Sequence, residues 1–253
     1  MPHTTAVIYA WLGGLVFVAS LAYFIYFHAS VLGHAAALAP HEAGALQATA
    51  WNGILFSAFA LHHSVMARTR AKQWIAAWLP STLERSTYVW IASALFLTTC
   101  LWWRRLPGEL YAAEGLGRWA GYVVQLGGLA VIMRSASMLD VLELAGIRQV
   151  SEPRTHPVAP AESAAAPAGQ PPRPQLRVDG PYGMVRHPLY LGWVLVVFGA
   201  PYMTADRVLF ACLSTVYLLL AIPWEERSML GTFGDTYTQY AARVRWRLIP
   251  WVY

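Results

Sequence analysis

Two adjacent glutamates, Glu225-Glu226, follow directly on the strongly apolar run 208–224. A carboxylate at membrane depth is costly unless a cation or hydrogen bonds meet it, so such a pair is a candidate for binding chemistry. The plainer alternative is a solvated pair beyond the interface that faces Arg227 or Arg243. A second constellation precedes it: Gly180-Pro181-Tyr182-Gly183-Met184-Val185-Arg186-His187-Pro188-Leu189-Tyr190-Leu191-Gly192. Its glycines and first proline make a turn. Arg186 and His187 stand where a helix begins, with Pro188 in the first turn, where a missing amide hydrogen costs nothing. Amides at a helix start with a cation beside them suit a carboxylate. Arg186 alone reads more readily as a basic anchor at the membrane interface. A ligand carrying both an ammonium and a carboxylate satisfies the two constellations together.

The other reactive side chains point to less. His62 and His63 are adjacent, and neighbours on a helix project about 100° apart. With only 8 dispersed histidines in the chain, they read as packing or hydrogen-bonding residues, and no metal is expected. Cys100 and Cys212 both sit inside apolar runs and are too few for a disulfide framework or a zinc site.

These groups must be positioned by a membrane scaffold. The chain is 57% hydrophobic and 12% charged, where a soluble domain carries about a quarter charged residues. Its mean hydropathy is +0.41. The missing polar surface must face lipid, and the 12 Trp and 13 Tyr suit the headgroup level. Six stretches approach the roughly 20 residues needed to span a bilayer: 6–27, 50–66, 86–103, 119–133 with its continuation, 189–205 and 208–224. The first lacks a basic n-region and is too long for a signal peptide, so it reads as a retained helix. The fold class is therefore all-α: a polytopic integral membrane protein with about six transmembrane helices ending in a helical hairpin.

With the N-terminus cytoplasmic, the inner segments carry thirteen basic residues, from Arg68, Arg70, Lys72 and Arg85 through Arg148 to Arg247. The outer segments carry four: Arg104, Arg105, Arg118 and Arg207. That asymmetry puts both termini in the cytoplasm. It also accounts for the net charge of +5 without nucleic acid as a partner. Residues 151–179 hold seven prolines and almost no large apolar side chain, so burial cannot offset their ordering entropy and a cytoplasmic loop is expected. Three regions result: helices over 1–150, a Pro/Ala-rich loop over 151–175, and a C-terminal segment over 176–253. Ser81-Thr82-Leu83-Glu84 after Pro80 reads as a capping box. The run 32–46 reads as an amphipathic segment along the outer interface.

Arg-His-Pro-x-Tyr, a helical hairpin, then Glu-Glu with Phe233-Gly234-x-x-Tyr237-x-x-Tyr240 resembles the isoprenylcysteine carboxyl methyltransferase and phospholipid methyltransferase superfamily. The N-terminal segments narrow the likeness. Leu61-His62-His63-Ser64-Val65-Met66-Ala67-Arg68, Glu84-Arg85-Ser86-Thr87-Tyr88-Val89 and Gly146-Ile147-Arg148-Gln149-Val150 are similar to bacterial membrane-bound methanethiol S-methyltransferases. The first two of these segments also occur in NnrU-type proteins. The resemblance implies an enzyme of the bacterial inner membrane, with S-adenosylmethionine held in a cytoplasmic pocket. It implies methyl transfer to a small thiol such as methanethiol, giving dimethyl sulfide. The implied binding set is Gln149, Leu176, Arg177, Tyr182, Arg186, His187, Pro188, Leu189, Tyr190, Glu225 and Glu226, with His187 or Tyr190 as candidates to take the thiol proton. Alternatives are a lipid acceptor (a prenylcysteine carboxylate or a phospholipid amine) and a non-catalytic NnrU-type protein of nitrogen-oxide metabolism. Ala221 stands where carboxyl methyltransferases place an arginine for the prenylcysteine carboxylate, which weighs for the thiol.

Overall fold

The computed structural model describes residues 3–34, 44–66, 78–151 and 176–253. Arg68, Arg70, Lys72, nearly all of the Pro-rich loop and most of the 32–46 run lie outside the described residues.

The architecture is helical throughout, with one small β-ribbon. Helix α1 spans His3–Tyr26 and continues as a π-helical turn, Phe27–Val31. Helix α2 is Ala45–Met66, α3 is Ser81–Leu101 and α4 is Gly115–Ala136. Two short helices follow, α5 (Val141–Leu144) and α6 (Ile147–Ser151). After a 3-10 turn at Gly180–Gly183 come α7 (Pro188–Phe198), α8 (Ala205–Phe233) and α9 (Asp235–Arg243). Strand β1 (Glu109–Ala112) pairs antiparallel with β2 (Tyr202–Thr204), with a bulge between Glu109 and Tyr111.

Among the described residues three helices are long and apolar enough to cross a bilayer: α1 with its π-helical extension, α4 and α8. Helix α4 shows why lipid must surround them, since Leu116, Trp119, Val123, Leu126 and Met133 all lie exposed along it. Such a continuous apolar face has no place in water. The six-span expectation thus holds at three helices by length and composition. Helix α7 is only 11 residues long, which at 1.5 Å per residue is about half a bilayer.

Small residues let α7 pack closely. A Cβ on Gly192 of α7 would sit 2.6 Å from the Gly128 carbonyl of α4, so glycine at both positions is what permits this backbone approach. At the centre, Phe24, Phe27, Phe56, Phe96, Trp103 and Phe210 form one buried cluster. Trp193 of α7 stacks on Phe24, with centroids 5.0 Å apart.

Helix α3 opens at Ser81 after Pro80 at the cap position, and the Pro80 carbonyl accepts from Leu83 N at 2.9 Å. One expectation is corrected. Helix α8 does not stop at Trp224: it runs through Pro223 to Phe233 and ends at Gly234, whose φ is 52°. Glu225 and Glu226 are therefore mid-helix residues.

Polar residues tie the bundle at its two ends. At the end away from the chain termini, Asp206 is fully buried. It accepts from Trp103 Nε1 at 2.8 Å, Leu106 N at 2.9 Å and Arg105 Nε at 2.8 Å. Removing one partner of a buried ion pair leaves the other groups desolvated and unmatched. Asp206→Ala is therefore expected to destabilise the protein by about 3 kcal/mol, read as a lowered thermal midpoint in detergent. Arg105→Ala, which leaves two of the three bonds in place, should cost less.

Candidate active site

The opposite end gathers most of the residues the motifs singled out. Three segments meet there: the start of α7, the turns of α8 around Glu225, and the tail after α9. The tail docks by backbone pairing, as Arg186 N donates to the Trp246 carbonyl and His187 N to the Arg247 carbonyl, both at 2.9 Å.

Arg186 is also committed. Its Nε donates to Glu226 Oε1 at 2.6 Å, and its Nη1 donates to the Val244 and Arg245 carbonyls at 2.8 and 3.0 Å. The other Glu226 oxygen lies 3.0 Å from Arg247 Nε. Glu226 is thus clamped between two guanidinium groups, and its side chain is only 13% exposed. Neither Arg227 nor Arg243, the partners that sequence proximity offered, makes this pair. Charge-assisted bonds of this kind are short and strong, and here they join α7, α8 and the tail at one point.

Glu225 is different. Its side chain is 44% exposed. The Tyr190 hydroxyl donates to its Oε1, and His187 Nδ1 lies 3.4 Å from its Oε2. His187 Nε2 is 3.6 Å from Glu226 Oε1, within ion-pairing range but too long for a hydrogen bond. The His187 ring stacks on Tyr190 with centroids 5.4 Å apart and planes at 11°. The imidazole therefore sits wedged between the two carboxylates. Burial lowers its pKa, but hydrogen bonding and charge from Glu225 and Glu226 outweigh that, and the net shift is upward from 6.5.

The remaining candidates form the wall. Pro188 is buried at the first position of α7 and Leu189 is half-buried beside it. The Tyr182 carbonyl accepts from the Tyr240 hydroxyl at 2.8 Å, and Leu176 packs on Tyr237, Tyr240 and Val244. Arg177 is exposed. Gln149 stands apart on α6, where its Nε2 donates to the Glu143 carbonyl at 3.2 Å. Its Oε1 is buried with no hydrogen-bond partner among the described residues. No hydrogen bond or ion pair among the described residues joins Gln149 to the carboxylates. Sequence reasoning did not find Arg247 as a clamp, because a lone arginine in an irregular tail carries no periodic signal. Among the described residues no group of three or more His, Cys, Asp or Glu is arranged to hold a metal ion.

Similarity to known proteins accords with this geometry. Methanethiol S-methyltransferase 2 of Bradyrhizobium diazoefficiens is 37% identical over 193 residues, covering 76% of this chain and 70% of that protein. Methanethiol S-methyltransferase 1 of the same organism is 37% identical, over 79% of this chain and 66% of its own length. Methanethiol S-methyltransferase of Mycobacterium tuberculosis is 35% identical, over 81% and 79%. No family model matches the chain, and no solved structure matches it. The chain belongs to the methanethiol S-methyltransferase family, and a methyltransferase requires a methyl donor.

The wedged imidazole makes the site sensitive to pH. A histidine whose pKa is raised on folding contributes its full stabilisation below its unfolded value, near 6.5, and loses it as pH climbs through the higher folded value. The stability advantage of the native protein over His187→Gln should be largest below pH about 6.5 and fade toward alkaline pH. Thermal midpoints of both proteins across that range provide the check. An advantage that grows with pH would contradict the wedge.

Proposed function

We propose, from that membership, that the protein transfers a methyl group from S-adenosylmethionine to a small thiol such as methanethiol, giving dimethyl sulfide. The observation that carries the reading is the asymmetry of the carboxylate pair: Glu226 is saturated by Arg186 and Arg247, while Glu225 is half-open and pre-oriented by Tyr190 and His187. An oriented, accessible carboxylate suits a cationic or hydroxyl-bearing ligand. The buried, unpartnered Gln149 Oε1 adds an acceptor that an amino group would satisfy. The residues present thus fit the groups S-adenosylmethionine displays: an ammonium, ribose hydroxyls and an adenine amine.

When bound, that molecule supplies an electrophilic methyl on a cationic sulfur. The chain supplies binding and orientation. Glu225 accepts from the ammonium or ribose hydroxyls, and Glu226, through its arginines, holds α7 and the tail in position. Tyr182, the Leu176–Arg177 backbone, Pro188 and Leu189 form the wall, and closure of that wall against water favours an in-line approach of the acceptor. His187 and Tyr190 hold Glu225. The polar site lies at the end of the bundle that carries the chain termini, in keeping with six crossings of a bacterial inner membrane and both termini cytoplasmic. A small apolar acceptor reaches such a site by partitioning through lipid.

The acceptor pocket lacks the group a carboxylate needs. Ala221 is buried one turn before Glu225, and its neighbour Ile222 is fully buried. A carboxylate set against that surface without a bidentate arginine would lose several kcal/mol, whereas a neutral alkyl thiol loses little.

Glu225→Ala should weaken S-adenosylmethionine binding by at least about tenfold, the worth of one charge-assisted hydrogen bond. Isothermal calorimetry on folded, detergent-extracted protein measures this, and an unchanged affinity would remove Glu225 from the site. In a competition at equal concentration, radiolabelled methyl should enter the volatile thioether fraction far faster than a prenylcysteine ester. Label recovered mainly as base-labile methyl ester would replace the thiol with a lipid acceptor.

A further inference from the structure

A second polar cluster lies deeper in the bundle than the carboxylates, built from His62, His63 and Ser64 on α2, Tyr88 on α3 and Tyr217 on α8. Nδ1 of His63 is 2.6 Å from the Tyr88 hydroxyl oxygen. The His63 ring stands edge-on to Tyr217 with centroids 6.2 Å apart, and Ser64 Oγ donates to the Tyr217 hydroxyl at 3.4 Å. The His62 ring stacks on Tyr88 at 5.6 Å, and both of its nitrogens are buried with no hydrogen-bond partner among the described residues. Buried imidazole nitrogens without partners are costly, and a core that needed only packing would carry apolar rings here.

The cluster lies along α8 from the carboxylate site. Tyr217 precedes Glu225 on α8 by two helical turns, about 12 Å along the axis. Glu225 lies within electrostatic reach of His63, Tyr88 and Tyr217, and Tyr88 and Tyr217 lie within reach of Tyr190. The other charged or titratable groups around His63 are His62 from its own helix and Arg85 from α3.

Resting on the methyl-transfer reading above, we propose that this cluster is the acceptor subsite and that Nε2 of His63 takes the proton of a small alkyl thiol. Alkyl thiols are mostly protonated at neutral pH, and only the thiolate is an effective nucleophile. With Nδ1–H donated to the Tyr88 oxygen at 2.6 Å, Nε2, at the longer distance of 3.4 Å from that oxygen, carries the lone pair, the arrangement in which one ring nitrogen is oriented and the other does the chemistry. The S–H bond breaks with its electron pair left on sulfur and its proton on Nε2. That sulfur pair forms the new carbon–sulfur bond as the donor's methyl–sulfonium bond breaks, its electrons returning to the donor sulfur. The imidazolium then releases its proton to solvent, and Glu225 steadies the charge meanwhile. His187 is unsuited to this task, because two carboxylates hold it toward the protonated form. The Tyr190 hydroxyl is unsuited as well, because it already donates to Glu225. Phe59, whose ring lies 5.6 Å from that of His63, supplies an apolar side for the alkyl group.

The test compares two acceptors of nearly equal shape, ethanethiol and the much more acidic trifluoroethanethiol, on full-length His63→Gln and Tyr88→Phe. Loss of a general base should lower kcat/KM for ethanethiol by about 100-fold or more near neutral pH. The loss should shrink to within about threefold for the acidic thiol, which is ionised without help. S-adenosylmethionine affinity, by calorimetry, should be unchanged. Independently of turnover, ethanethiol bound with S-adenosylhomocysteine should show thiolate ultraviolet absorbance in the native protein and not in His63→Gln. An equal fall with both acceptors, no fall with either, or an undiminished thiolate band in the variant overturns the assignment. If His63→Gln fails to bind cofactor, Tyr88→Phe decides, with a loss of about tenfold that the acidic thiol again erases; no difference between acceptors there overturns it too. Native protein that methylates neither thiol sinks the methyl-transfer reading itself, and the assignment with it.

Discussion

The carboxylate of Glu226 is the constraint on which the site depends. It lies mid-helix at the end of a long apolar segment, so its charge must be met inside the protein. Arg186 and Arg247 meet it from two directions, at 2.6 and 3.0 Å. One comes from the start of the shortest membrane helix and the other from the tail. Because each guanidinium also bonds its own surroundings, the pairs act as a joint that fixes three segments at once. The neighbouring Glu225 is left partly open and aimed by Tyr190 and His187. Position and reactivity are thus divided between adjacent residues of the same type.

The same division runs along the bundle axis. At the far end Asp206 gathers Trp103, Arg105 and Leu106, with Asn52 bridging to both backbone atoms of Arg104 at 2.8 Å nearby. Between the two ends lies an aromatic core. Lipid offers no hydrogen bonds, so each polar group must be answered by another within the protein or lie at an aqueous end. Nearly all of the polar groups described here obey that rule. Among the exceptions are Gln149 Oε1 and the nitrogens of His62, and those near the proposed site are where a ligand is expected.

Local sequence logic succeeded in part and stopped where longer-range bonding took over. The Ser81–Glu84 pattern does mark the start of α3. The apolar run ending at Trp224 suggested a helix boundary, yet α8 continues to Phe233. A hydropathy change marks where the lipid environment ends, and a helix ends where its hydrogen bonding does. For Arg186 the sequence offered an interfacial anchor or a partner for a ligand carboxylate. The fold instead supplied Glu226, some forty residues away along the chain, together with tail carbonyls that no local pattern reveals.

By itself the sequence determined the membrane class, the helical fold and the two motifs on which the proposed chemistry rests. Each rests on composition, local spacing or motif resemblance, which are properties of the chain alone. Only the tertiary structure decided how the two glutamates differ, which arginines clamp the buried one, and that His63 and Tyr88 form a hydrogen-bonded pair. Those are encounters between residues far apart in sequence, and their geometry is set by helix packing: the close approach of Gly128 and Gly192, and the tail's return across the start of α7. The electrostatics of a low-dielectric bundle depend on such distances to within an ångström, and no one-dimensional pattern contains them.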